Sequence, residues 1–222
     1  GRLKAGSSRL LSSAFKIAVV GSGPAGLSAA GRAAQLGLSH VLLEKTDHLS
    51  DRIYKYQKGK HVMATPSQLV LRSDMDFEAG KREAILGVWD RQAEEQKVNV
   101  RRNAEVKKIT GQKGAFTLAL TNGETITAEY VILGVGTQGT PNKMRCEGGD
   151  LPHIQYSLDD PGEYVDEHIT VIGSGDAGIE NAVGLAADPE QNNTVTILNR
   201  SPEFSRAKQG NIDLILEAGR TG

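Results

Sequence analysis

The chain has 222 residues, 26 of them Gly, with 26 Lys+Arg against 27 Asp+Glu and a formal net charge of −1. That balance excludes the strongly basic footprint that nucleic-acid binding needs. The single cysteine, Cys146, excludes a disulfide framework, an intrachain CxxC redox centre and a Cys-rich metal site.

Residues 1–14 are small and polar and read as a linker or tail. They contain basic residues and leucines but no continuous apolar stretch of the signal-peptide kind. No apolar run in the chain approaches the roughly 18 residues of a membrane span. The expectation is a cytoplasmic protein with no membrane association. The chain starts without Met, so it is expected to be a piece of a longer protein.

Phe15 to Val20 is a short apolar, β-branched run that stops at glycine, which predicts a buried strand. Residues 24–37 carry small and apolar residues at helical spacing, with Pro24 suited to the first turn and Gly37 to the stop. Val41 to Glu44 predicts a second strand. Strand, glycine turn, helix and strand make a βαβ unit, the building block of a parallel sheet. Residues 46–78 are polar and irregular, and a stretch of that length is usually functional or an insertion. Residues 79–97 return to helical spacing, with Ala84, Ile85, Val88, Trp89 and Ala93 on one side. Short alternating runs follow at 98–101, 104–110, 115–121 and 124–128, with a hairpin turn over Thr121-Asn122-Gly123-Glu124. Tyr130 to Leu133 predicts another buried strand, ending at Gly134.

Residues 135–163 are rich in Gly, Pro, Asp and Asn, and a domain boundary is placed at 160/161. The opening pattern then repeats. Ile169 to Ile172 is a strand, Gly173 to Gly178 a glycine turn, 176–187 a helix and Thr194 to Leu198 the next strand. The fold class is therefore α/β, with two Rossmann-like three-layer domains and an antiparallel meander in the first. The divisions are a tail (1–14), a first nucleotide domain (15–160) and a second, incomplete one (161–222).

Gly21-Ser22-Gly23-Pro24-Ala25-Gly26 follows a strand and opens a helix. Gly21 permits the tight turn, Gly23 lets the backbone approach a pyrophosphate, and Gly26 allows close packing of helix and strand. The helix N-terminus offers N–H groups and a partial positive charge to phosphate. Glu44 lies roughly 20 residues on, where a carboxylate accepts the ribose hydroxyls of a bound dinucleotide. The second motif, Gly173-Ser174-Gly175-Asp176-Ala177-Gly178, has the same setting. Aligning residues 41–45 with 196–200 puts Asn199 where Glu44 stands and Arg200 where Lys45 stands. No carboxylate is left there to repel a 2′-phosphate, and Arg200 is placed to pair with one. The second loop should therefore prefer NADP(H), and the acidic first loop suits the AMP half of FAD.

These residues resemble the thioredoxin-reductase-like pyridine nucleotide–disulfide oxidoreductases, with bacillithiol-disulfide-reductase-like proteins and flavin monooxygenases as neighbours. The resemblance runs from about residue 15 to about 208. It rests on residues 17–30, 41–45, 104–109, 130–142, 148–156, 169–182 and 195–200. It implies a flavoprotein oxidoreductase that takes a hydride from NADPH to FAD and passes electrons to an acceptor. By resemblance, the first loop holds the FAD pyrophosphate, Glu44 the ribose, and Val106 makes backbone contacts to adenine. Gly134 and Gly136 would lie in the turn where the chain passes between domains. The second loop would hold the NADPH pyrophosphate, with Glu180 on the second helix and Arg200 at the 2′-phosphate. The pattern has departures. There is no CxxC, and Ala25 stands where bacillithiol-disulfide-reductase-like proteins carry cysteine. The monooxygenase fingerprint is matched by Gly149 and His153. Glu147 replaces its Phe, and Tyr156 comes one residue early.

The acceptor is accordingly expected to be a small molecule, a protein or another domain of the parent chain, and homodimerisation is left open. The FAD site is expected to lack a C-terminal return segment. The alternatives are a non-catalytic nucleotide-binding module and a monooxygenase-like enzyme. His40, His48, His61, His153 and His168 show no metal-ligand spacing, so no metal is expected. No catalytic residue is assigned. Cys146 reads as an ordinary loop cysteine, His153 as a structural hydrogen-bonding residue and Lys58, Lys60 and His61 as a solvated basic turn. Thr65-Pro66-Ser67 is placed near the flavin by position alone.

Overall fold

The computed structural model describes residues 14–64, 70–137 and 143–221. The Thr65-Pro66-Ser67 turn and nearly all of the N-terminal tail lie outside them. In chain order the elements are β1 (Phe15–Val20), α1 (Pro24–Gln35), β2 (His40–Leu43), α2 (Asp51–Tyr54), β3 (His61–Val62), β4 (Gly80–Lys81), α3 (Arg82–Glu95), β5 (Val100–Arg101), β6 (Val106–Gln112), β7 (Ala115–Leu120), β8 (Thr125–Leu133), β9 (His168–Ile172), α4 (Asp176–Ala186), β10 (Thr194–Leu198) and α5 (Gln209–Thr221). They form two compact units, one of residues 1–54 and 61–142, the other of residues 55–60 and 143–222.

The first unit is built on a six-stranded sheet of order β5-β2-β1-β8-β7-β6. β5, β2, β1 and the end of β8 run parallel, while β6, β7 and the start of β8 form an antiparallel meander. Strand periodicity sorts the core into two interfaces. Ala18, Val41 and Leu43 meet Leu118, Leu120, Ile126 and Ala128 of the meander. Val19 pairs with Leu42 on the opposite face, beneath Leu27, Ala30 and Ala33 of α1, all of them buried. Burying each large aliphatic side chain contributes about 1.5–3 kcal/mol. α1 starts at Pro24 and stops at Gly37, whose φ of +64° is the left-handed conformation that ends helices.

Three local expectations need correction. Residues 124–128 and 130–133 are one strand, β8, because Glu129 stays extended and pairs with Lys16 at 2.7 Å. The end of that strand is not buried. Val131 packs against the core cluster, but Tyr130 and Ile132 are exposed, and Leu133 is 63% exposed. On α3 only Ile85, Trp89 and Ala93, at i, i+4 and i+8, are buried, while Ala84 is exposed. The expected hairpin turn over Thr121–Glu124 joins β7 to β8, with positive φ at Gly123 and the Asn122 side chain accepting the Glu124 N–H at 3.0 Å.

The second unit pairs β9 with β10 in parallel. Their alternate residues Ile169, Val171, Val195 and Ile197 are half-buried, and α4 contributes the buried Ile179, Ala182 and Leu185. Residues 143–160, ahead of the boundary expected at 160/161, group with this unit. So does the short segment 55–60. Its Lys58 N–H donates to the Asp159 carbonyl (2.8 Å), Lys58 pairs with Asp160 (3.1 Å), and Lys60 pairs with Glu180 (2.5 Å).

Candidate functional site

The two glycine loops share their backbone conformation and main-chain hydrogen bonds. Gly21 has φ +94° and donates its N–H to the Leu43 carbonyl at 2.8 Å. Gly173 has φ +111° and donates to the Leu198 carbonyl at 2.9 Å. Both turns thus need a conformation that L side chains rarely adopt. Gly23 and Gly175 cap their helices at φ −66°, ψ 178° and φ −78°, ψ 178°, and their carbonyls accept the N–H groups of Leu27 and Ile179. A Cβ at Gly26 would overlap the Gly21 carbonyl oxygen, and one at Gly178 would overlap that of Gly173. A Cβ at Gly23 or Gly175, by contrast, would meet nothing within 4 Å. The third glycine of each loop is therefore required by the protein's own backbone. The second leaves open space beside the helix N-terminus.

The first-turn N–H groups of a helix have no intrahelical acceptor. Those of Ala25 and Gly26 in one loop, and of Ala177 and Gly178 in the other, suit the oxygens of a pyrophosphate. With the open space over Gly23 and Gly175, the residues present fit a dinucleotide phosphate at both loops. Ser22 and Ser174, the second residues of the loops, are both buried.

Glu44 closes β2 beside the first loop and is buried at 4% exposure. Its Oε2 accepts the Ser22 N–H (3.0 Å) and hydroxyl (2.5 Å). Its Oε1 accepts the Thr46 N–H (3.1 Å) and hydroxyl (3.2 Å). The Ser22 hydroxyl in turn accepts the Ser50 N–H at 2.9 Å, and the Ser50 hydroxyl donates to the Ser22 carbonyl. Glu44 thus holds the loop in shape with a charge-assisted network. Sequence reading counts Ser22 only among the cofactor-binding positions of the loop and carries no sign of its bond to Glu44. Lys45 is exposed, with its Nζ 3.9 Å from Asp51.

The register equivalent, Asn199, has no such task. Its amide donates to the Glu203 carbonyl at 2.8 Å, and the Ser201 hydroxyl donates to the same oxygen at 3.0 Å. The loop after β10 therefore turns back and closes a cleft of about 490 Å³. One wall is Gly173, Ser174 and Gly175; the other carries Arg200, Ser205 and Arg206. Neither arginine is ion-paired with a carboxylate among the described residues. Arg206 was missed by the sequence reading. Its signal was a second basic residue in the loop that follows the nucleotide-binding strand. Asp176 Oδ1 accepts the Lys208 N–H and the Asn211 amide, each at 2.8 Å. The Lys208 hydrogen bond chiefly, then Asn211, hold its carboxyl below the usual carboxylate range.

Gly134 lies against the first loop, where a Cβ would come within 3.0 Å of the Gly26 backbone. The chain changes units at 142/143, beyond both Gly134 and Gly136. Gly136 has φ +69°. Val106 opens β6, and its side chain packs on the core cluster. Tyr156 and Gly149 have a structural task. The Tyr156 hydroxyl accepts the Met144 N–H (2.7 Å) and donates to the Gly149 carbonyl (2.8 Å). Cys146 is exposed, and no metal-ligating cluster occurs among the described residues. No helix among them is long and apolar enough to cross a membrane.

Comparison with known proteins places this geometry in context. The family model described as pyridine nucleotide-disulphide oxidoreductase matches residues 18–215. A ferredoxin–NADP reductase from Ignicoccus hospitalis is 26% identical over 201 residues, covering 90% of this chain and 61% of the relative. The bacilliredoxin reductase Bdr of Bacillus subtilis is 27% identical over 201 residues, covering 86% and 58%. The chain thus spans about three-fifths of the length of these curated relatives. Among solved structures, the bacillithiol disulfide reductase Bdr (YpdA) from Staphylococcus aureus superposes with a TM-score of 0.77 at 22% identity, covering 93% of this chain and 64% of that one.

Proposed function

The chain belongs to the pyridine nucleotide-disulphide oxidoreductase family, and from that premise we propose that it binds FAD in the first unit and NADPH in the second, as a flavoprotein oxidoreductase. One observation carries the reading. Two glycine loops of matching backbone conformation end in opposite electrostatics, a buried carboxylate at Glu44 and an arginine-walled cleft at Arg200 and Arg206. When bound, FAD would take a hydride from NADPH and release electrons to an acceptor. The chain's own residues supply binding and orientation. Ala25 and Gly26 N–H groups hold one pyrophosphate, and Ala177 and Gly178 N–H groups the other. Glu44 shapes the first loop and has its carboxylate beside the ribose position. Arg200 and Arg206 pair with the 2′-phosphate. With one cysteine in the chain, the electrons leave for an external acceptor or another domain. That acceptor is a small molecule or a protein of the kind that ferredoxin is for the Ignicoccus relative. A lone thiol also suits a reducing compartment such as the cytoplasm.

The test is the visible spectrum of the purified protein before and after anaerobic NADPH. A flavin spectrum that bleaches with NADPH, and less readily with NADH, is expected. A flavin-bound protein that NADPH leaves oxidised would refute hydride transfer and favour a non-catalytic nucleotide-binding module. A protein that binds neither nucleotide would refute both.

A further inference from the structure

Asp176 stands directly after Gly175, among positions that the sequence assigns to phosphate. A carboxylate there is electrostatically awkward, because it competes with a pyrophosphate for the partial positive charge of the same helix N-terminus. The first loop has Pro24 at the equivalent place, with no charge. The first loop also has no arginine-bearing wall to hold.

The geometry gives the carboxylate a different task. Asp176 Oδ1 takes the Lys208 N–H and the Asn211 amide at 2.8 Å each. The Asn211 amide also donates to Glu180 Oε1 at 3.1 Å, and Glu180 pairs with Lys60. Lys208 ends the loop that starts at Asn199 and carries both cleft arginines. The near end of that loop is closed by the Asn199 amide and the Ser201 hydroxyl on the Glu203 carbonyl. The far end is fastened by Asp176. Exposed arginines on a loop tied at one end only would lose bidentate alignment to a phosphate, since such pairing demands a fixed fork geometry.

Resting on the NADPH reading above, we propose that Asp176 is a positioning residue for coenzyme selectivity, fastening the arginine-bearing wall of the cleft to the helix that receives the pyrophosphate. It acts through Lys208 and Asn211 rather than by touching the nucleotide.

The test titrates NADP+ and NAD+ separately into the chain by calorimetry, which needs no flavin turnover. Amide hydrogen exchange at Lys208 is followed alongside. Asp176→Ala removes both acceptor bonds. It should weaken NADP+ by about tenfold relative to NAD+, the scale of a charge-assisted hydrogen bond, and speed exchange at Lys208. Asp176→Asn keeps an acceptor oxygen and should retain most of the selectivity. Asn211→Ala removes one of the two bonds, should fall between, and serves if Asp176→Ala does not fold. Equal weakening of both nucleotides by Asp176→Ala would overturn the inference, as would unchanged selectivity. So would Asp176→Asn behaving like Asp176→Ala, since charge and not fastening would then be at work. A wild-type chain without NADP+ preference would refute the underlying NADPH reading instead, and the inference with it.

Discussion

Gly23→Ala and Gly26→Ala offer a contrasting pair, because a new methyl meets open space at Gly23 and backbone at Gly26. At Gly26 the new methyl would overlap the Gly21 carbonyl oxygen. That neighbour is backbone and cannot rotate away. Overpacking of this kind costs about 1–3 kcal/mol, and a backbone clash belongs at the upper end. For a chain of this size about 3 kcal/mol corresponds to a fall of roughly 6–12 °C in the thermal midpoint. At Gly23 nothing lies within 4 Å, and φ −66°, ψ 178° suits any residue. The weaker capping by Ala costs about 0.5 kcal/mol or more. The lower entropy of the unfolded chain returns roughly 0.4–1 kcal/mol. Stability should therefore stay within about 0.5 kcal/mol of wild type, while the methyl occupies the space a pyrophosphate needs. Urea unfolding monitored at Trp89 and flavin retention by absorbance measure the two effects separately. Gly23→Ala that retains flavin as well as wild type would refute the placement of phosphate over the loop. Gly26→Ala with wild-type stability would refute the steric argument.

Further outcomes follow from the same geometry. Glu44→Gln turns an amide NH2 toward either Ser22 or Thr46, each of which presents an N–H. It should cost about 1–3 kcal/mol in urea unfolding and loosen flavin. Arg200→Ala and Arg206→Ala should each raise the NADPH dissociation constant by about tenfold or more, with NADH little changed. An unchanged preference in both variants would show that the cleft does not read a 2′-phosphate. The Asp176 carboxyl is held below its unfolded value of 3.8, so its contribution to stability is full above that pH and is lost as pH falls through the folded value. Acid unfolding of Asp176→Asn, followed by circular dichroism below pH 4, should show a shallower pH dependence than wild type.

Much of the fold was legible because its signals are local. Gly37, the two glycine loops and the β-branched runs before them each answer to constraints within a few residues. The misreadings share another cause. Tyr130 and Ile132 are apolar by type, but their exposure depends on which face of β8 they take and what lies over it. The joining of residues 124–128 to 130–133 depends on β8 changing partners from β7 to β1 in mid-strand. Arg206 and the fastening by Asp176 were hidden because the 199–208 loop is shaped by Asn199, Ser201 and Asn211, polar residues without periodicity. Ser22 is the sharpest case. As the variable position of a glycine motif it carries no pattern, yet it is fully buried and bonded to Glu44.

The six residues 55–60 make both units discontinuous along the chain. Cutting the polypeptide at 142/143 would not yield the second unit whole, because Asp160 would lose Lys58 and Glu180 would lose Lys60. During synthesis Lys58 must wait for Asp160, 102 residues later, before its ion pair can form. Closing so long a loop is entropically slow. The first unit has its last strand, β8, on the ribosome well before that, so the chain is expected to mature from its N-terminal half, with residues 55–60 docking last.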